Sequence, residues 1–323
     1  YHYPRSFETA MSSFIFQKAF CNMFREAVVE NFDHYYCVAK EGSLLSPEQY
    51  MKFCDTVGLP YAKKKPATIT LTPEVELSIK VPEKLYDANL LRRTLLSMLD
   101  KDTSINLQVS TEVTEIEKKK EGGYEIASRN NGAITKKHFD AVVNATYSNI
   151  NKIAQMAGFE TKEYQYELCE IPIVKVPWNK RTGCAIMDGP FFGILPFGFS
   201  EEYMLYDVEL SVLEQSNGIL PGFKHDIAHY DQEHVRQQRF KRYVEKAQRY
   251  IKEMKYCKHL YSIYITRMVL PGREADDARP TELIYHGDGF WSVFSGKVSA
   301  AIPAAENIMV EVEEYFNPSN KNS

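Results

Sequence analysis

Eight histidines and six cysteines are the first residues in this 323-residue chain to ask for chemistry. The cysteines are Cys21, Cys37, Cys54, Cys169, Cys184 and Cys257. They form no Cys-x-x-Cys pair and have no zinc-finger spacing to a histidine, so no metal site is expected from them. Scattered in this way they read as reduced thiols of a cytoplasmic protein. His225, His229 and His234 crowd one stretch, but no cysteine or second carboxylate cluster stands at ligand spacing. They read as solvated side chains. His2 lies in the string Tyr1-His2-Tyr3-Pro4-Arg5-Ser6, where it is a candidate base or a structural histidine. Asp188 is a second candidate base, although the Gly189-Pro190 that follows favours a turn. Aromatic residues make up 13% of the chain. They suit aromatic-rich strands, or a site that stacks planar groups or sugars.

The elements that would position these residues follow from periodicity and punctuation. Residues 8–30 carry Phe16, Ala19, Phe20, Met23 and Ala27 near helical spacing. Ser46-Pro47 opens a helix that stops at Gly58, and Asp87 caps another from Ala88 to Leu99. Strands are expected at Ala67–Leu71, Val75–Val81, Ile105–Val109 and Glu112–Ile116, with Asn131-Gly132 marking a hairpin. A buried strand, Ala141-Val142-Val143, leads through small residues to a helix from Ile150 to Ala157. From Tyr164 to Leu210 Gly and Pro punctuate a run of strands suited to antiparallel pairing. Residues 211–230 read as a loop. A charged helix runs from Asp231 to about Met254, and a strand from Leu260 to Met268. The end is a strand, Phe290 to Phe294, a loop at Ser295-Gly296-Lys297, and a helix to Tyr315. Helices alternating with strands define an α/β class.

Four stretches carry a family resemblance. Asp140-Ala141-Val142-Val143-Asn144-Ala145-Thr146-Tyr147 resembles a strand of FAD-dependent oxidoreductases of the D-amino-acid oxidase, glycine oxidase and 2-hydroxyglutarate oxidase superfamily. There the strand ends in Asn-Ala-Thr-Gly or Asn-Ala-Ala-Gly beside the cofactor. Small side chains are needed where backbone meets a large ligand. Tyr147 replaces the family's glycine. Phe290 to Lys297 with Val298-Ser299 resembles the family's last strand and its turn into a helix, and Arg279-Pro280 an Arg-Pro pair upstream of it. Tyr1 to Ser6 resembles the segment that runs along the flavin.

The resemblance implies an FAD/NAD(P)-binding domain, Rossmann-like and incomplete, with an antiparallel-sheet substrate domain. Residues 1–163 and 286–317 would form the first, including part of the substrate region near 40–80. Residues 164–285 would form the second, and 318–323 a disordered tail. No Gly-x-Gly-x-x-Gly occurs. With a start at Tyr1, that reads as a fragment lacking the family's opening βαβ segment. FAD is the implied cofactor. Tyr1, Arg5, Val113, Ala145, Thr146, Ser295, Gly296, Lys297 and Val298 would contact it, and His2, Tyr3 and Arg279 would serve catalysis. Arg5, Arg267 and Arg279 are candidates to fork a substrate carboxylate. The implied activity is hydride transfer to flavin from a CH–NH or CH–OH group of a small polar molecule.

A net charge of −4 argues against nucleic acid as a partner. No apolar run approaches the roughly 20 residues of a membrane span. The alternatives are a non-catalytic remnant or partner-binding module on the same fold, an NAD-dependent enzyme, and a glycan-binding module. The NAD reading lacks a Tyr-x-x-x-Lys pair in a suitable helix. The glycan reading leaves the Val142–Thr146 pattern unexplained.

Overall fold

The computed structural model describes residues 3–272 and 280–317. Local signals place several elements. The Ser46 hydroxyl accepts from the Gln49 N–H and the Gln49 side chain accepts from the Ser46 N–H. Pro47 fills the first turn, and Gly58 ends the helix Pro47–Val57 in the left-handed conformation. Asp87 accepts from the Leu90 N–H at 2.8 Å and caps Ala88–Asp100. Asn131 and Gly132 take φ of 48° and 84°. That two-residue turn joins the antiparallel strands Tyr124–Asn130 and Ala133–Phe139.

A small sheet joins the middle of the chain to its C-terminal part. Val142–Asn144 runs parallel to Phe290–Ser295, with Val143 opposite Trp291. Phe290–Ser295 pairs on its other side, antiparallel, with Thr281–Gly287. Phe290 packs with Ile116, Tyr124 and Ile153, which brings the three-stranded meander 111–139 and the helix Ile150–Met156 onto one face. On the other face the Trp291 indole N–H donates to Glu311 of the helix Ala301–Phe316 at 2.9 Å.

The larger sheet has nine strands. Tyr164–Lys175 pairs with Lys258–Val269 on one side and with Val212–Gly218 and Tyr203–Asp207 on the other. The sheet continues through Phe192–Pro196, Thr182–Met187, Asp33–Ala39, Val75–Val81 and Ala62–Lys63. Pairing is antiparallel except where Thr182–Met187 runs parallel to Asp33–Ala39. One face buries Tyr35, Cys184, Ile186 and Leu205 against Tyr243 and Ala247 of the helix Glu233–Gln248. Arg239 of that helix meets the buried Glu170 at 2.7 Å. The opposite face buries Tyr36, Ala185 and Met187 against Ala10 of the helix Phe7–Met23 and against Tyr50 and Cys54. Of these, Ile186, Leu205 and Met187 each contribute about 1.5–3 kcal/mol when fully buried.

Four segments differ from their sequence pattern. The helix expected over 8–30 ends at Met23, and Val28–Val29 pairs with Leu85–Tyr86. Ala67–Leu71 makes a single bridge, Leu71 to Ile251, because Pro66 and Pro73 bracket it and limit the ladder. Ile105–Val109 has no strand partner among the described residues, and its apolar side chains are exposed. Residues 211–230 contain the strand Val212–Gly218, held by pairing with Tyr164–Cys169 rather than by its polar composition. No helix among the described residues is long and apolar enough to cross a membrane.

Candidate functional site

The Val142–Asn144 strand lies at the outer edge of the small sheet, and Val143 is 43% exposed. Ala145 and Thr146, just beyond it, are exposed and small, so the backbone there is open to close approach. Asn144 builds the corner. Its buried amide donates to the Ile150 carbonyl at 2.9 Å and the Ser292 hydroxyl at 3.1 Å. Its carbonyl accepts from the Thr146 hydroxyl at 2.7 Å. Tyr147 then takes φ of 51°. The left-handed region suits the glycine that the family pattern carries here. For a side-chain residue it costs roughly 1–2 kcal/mol. Three contacts hold it: the hydroxyl donates to the Met268 carbonyl at 3.1 Å, accepts from the Met268 N–H at 2.9 Å, and the ring stacks on Phe294. Val113 is half-buried beside a register shift in the meander and packs with the cluster around Phe290.

The second wall is the turn Ser295-Gly296-Lys297, which leads through Val298–Ala300 into Ala301–Phe316. The Ser295 hydroxyl accepts from the Lys297 N–H at 3.3 Å. Gly296 and Val298 are exposed. The Lys297 ammonium donates to the Thr9 carbonyl at 3.2 Å and to the Ser13 hydroxyl, and lies 3.7 Å from the Tyr3 ring centroid. The structure thus brings Tyr3 and Lys297 together from opposite ends of the chain. Lys297 and Thr9 also line a cleft of about 280 Å³ with Phe16, Leu283 and Val293. Arg5 turns to Asp188, with Nε 2.8 Å from Oδ2 and Nη2 3.3 Å from Oδ1. Asp188, read from sequence as a turn residue, is therefore an ion-pair partner. Tyr1, His2 and Arg279 lie outside the described residues.

A third group lies on the large sheet. Arg267 faces Glu167 across the pairing of Lys258–Val269 with Tyr164–Lys175, with Nε 2.5 Å from Oε2. Its Nη1 donates to the Tyr206 hydroxyl at 2.8 Å. Gln165 donates to the other Glu167 oxygen at 2.7 Å. Burial pushes the Tyr206 hydroxyl pKa up. Tyr206 meets Phe191 edge-on at 5.9 Å, and Phe191 packs on the cluster that holds Ala10 and Met187. This group therefore shares the sheet face onto which the first helix packs. Glu167 and Tyr206 were not singled out from the sequence. The available signal was a glutamate inside an otherwise buried strand, which calls for a counter-ion.

A parallel strand pair ending at a helix start, joined to a large mostly antiparallel sheet, is a mixed α/β arrangement of two sheets. Solved flavoenzymes share it. Glycine oxidase from Geobacillus kaustophilus superposes with a TM-score of 0.61 at 14% identity, over 91% of this chain and 74% of that one. L-proline dehydrogenase from P. horikoshii gives 0.62 at 14%, over 96% and 79%. L-alpha-glycerophosphate oxidase from Mycoplasma pneumoniae, solved with FAD bound, gives 0.64 at 12%, over 97% and 81%. No protein-family model and no curated protein sequence matches the chain. The chain has the fold of these FAD-dependent oxidoreductases.

Proposed function

We propose that this protein is an FAD-dependent oxidoreductase that takes hydride from a CH–NH or CH–OH group of a small molecule. The observation that carries the reading is fold likeness along nearly the whole chain to three flavoenzymes of that type. The residues fit the cofactor. An exposed strand edge at Val143 with small Ala145 and Thr146 suits close backbone approach. The turn at Ser295–Val298 opens a helix, whose N-terminal N–H groups and dipole favour an anionic group. Bound FAD would supply the hydride acceptor. Within this reading Val113, Ala145 and Thr146 contact one part of the cofactor, and Arg5 and Ser295 to Val298 another. Tyr3, beside Lys297, serves catalysis in this reading. Residues 1–163 with 286–317 form the cofactor unit, which includes part of the substrate region near 40–80, and 164–285 the rest of the substrate unit.

The test is a fluorescence titration of the protein with FAD. The expected result is saturable quenching of the flavin that Val143→Arg abolishes while the fold persists. FAD that neither co-purifies nor binds overturns the reading. FAD that binds but is reduced by no amine or alcohol favours a non-catalytic module on the same fold.

A further inference from the structure

We propose that the cleft between the helix Ala301–Phe316 and the strand Thr281–Gly287 is a second small-molecule site, which takes a free alkylammonium cation of the choline type. The cleft has a volume of about 820 Å³. It shares Leu283 and Asn307 with the cleft at Lys297 and extends from there toward Tyr315. From Ala301 to Tyr315 the helix rises about 21 Å, so the far end of this cleft stands well away from the Ser295–Val298 turn. The proposal does not depend on the oxidoreductase reading.

Side chains alternate along a strand, so Leu283 and Tyr285 face the cleft while Ile284 and His286 face away from it. Trp291, opposite Tyr285 in the strand pair, forms the floor and is itself buried. Tyr285 packs on it with ring centroids 5.0 Å apart and planes tilted by 31°. Tyr315, from the helix, meets it edge-on at 5.6 Å. Tyr285 and Tyr315 are 49% and 36% exposed, so both offer ring surface to the cleft. The two converge on Gly289. Its N–H donates to the Tyr285 hydroxyl at 3.4 Å, and a Cβ there would lie 2.9 Å from the Tyr315 ring.

Charge selects the ligand. Glu311 and Glu314 stand on the helix wall, and among the described residues the lining includes no lysine, arginine or histidine. The Trp291 indole N–H holds the Glu311 carboxylate at 2.9 Å, which fixes one negative charge beside the aromatic rings. An anion would meet like charge there, and a neutral apolar molecule would gain nothing from the carboxylates. A cation with an apolar shell is matched twice. Ring faces attract it through their quadrupole, and the carboxylates complement its charge. A bare ammonium holds its water strongly, whereas N-methyl groups bring weakly hydrated positive surface to the rings.

The test is a ligand-observed NMR titration with choline and with dimethylbutanol, its uncharged carbon isostere. Choline should bind at least about 10-fold more tightly than the isostere, with its N-methyl signals moved upfield by the ring faces. Glu311→Gln keeps an acceptor for the Trp291 indole, and Tyr285→Leu falls at an exposed position. Each should cut the preference for choline by about 3-fold or more. Equal binding of the two probes, binding of neither, or an unchanged preference in the folded variants overturns the inference. If neither variant folds, the wild-type preference decides. Phosphatidylcholine vesicles carry the same head group, and cosedimentation with them that choline does not displace overturns the choice of a free ligand.

Discussion

Tyr147→Phe isolates the anchor that holds a left-handed tyrosine at the corner of the small sheet. The ring should stay stacked on Phe294, while the two hydrogen bonds to the Met268 backbone, at 2.9 and 3.1 Å, are lost. Each is worth about 0.5–1.5 kcal/mol net, so the pair amounts to about 2 kcal/mol. At about 2–4 °C per kcal/mol for a chain of this order of size, the melting temperature should fall by about 4–8 °C. Tyr147→Gly removes the φ of 51° as a source of strain, a gain of about 1–2 kcal/mol. It also removes the half-buried ring, and should come out no more stable than the Phe variant. Urea unfolding followed by far-UV circular dichroism, with a common m-value, reads both. A Phe variant within about 0.5 kcal/mol of wild type would show that the hydroxyl is not the anchor. A Gly variant more stable than wild type would show that backbone strain outweighs all three contacts.

Other perturbations have distinct readouts. Arg239→Ala strands Glu170, whose side chain is 2% exposed, and should cost about 3–5 kcal/mol in urea unfolding, whereas Glu170→Leu with Arg239→Met should recover most of it. The Glu214 carboxyl is held down to about 2, first by the Lys224 N–H and further by Tyr230 and His225. A depressed carboxylate adds stability above its unfolded pKa of about 4.3 and loses it as pH falls through the folded value. Proteolytic cleavage within 219–231 should therefore rise between about pH 4 and pH 2 in wild type, and already at pH 7 in Glu214→Ala. In FAD-loaded protein, Lys297→Met should lower the flavin potential, with about 30 mV corresponding to 1.4 kcal/mol for a two-electron couple. An unchanged potential in the folded variant would reject that role for Lys297.

Elements whose signals are local were legible in the sequence. Ser46, Pro47 and Gly58 bound one helix, Asp87 starts another, and Asn131-Gly132 makes a hairpin, because each bonds within a few residues. Val142–Asn144 and Phe290–Ser295, each singled out by its motif, pair with one another. Periodicity failed where a distant partner decides the state. Val212–Gly218 is a strand because Tyr164–Cys169 accepts it, and Ile105–Val109 is not one because no described strand pairs with it. Lys297 and Tyr3 were both named and do meet. That Arg5 would be taken by Asp188, and Arg267 by Glu167, depends on pairs 183 and 100 residues apart, which spacing along the chain does not encode.

The junction between the two sheets has a consequence for any variant of this protein. Tyr147 reaches from the small sheet to Met268, Phe294 packs on Tyr164 with ring centroids 5.1 Å apart, and Lys162 pairs with Glu282. These contacts flank the strand end at Ala145-Thr146 and the turn at Ser295–Lys297. The large sheet also has its own cores on both faces. A weakened seam should therefore shift the proposed cofactor site while leaving the large sheet folded, because local openings follow the regions with fewest buried contacts. Loss of FAD affinity without loss of strand content is the signature expected of seam variants. Loss of both together is the signature of a substitution in the sheet cores.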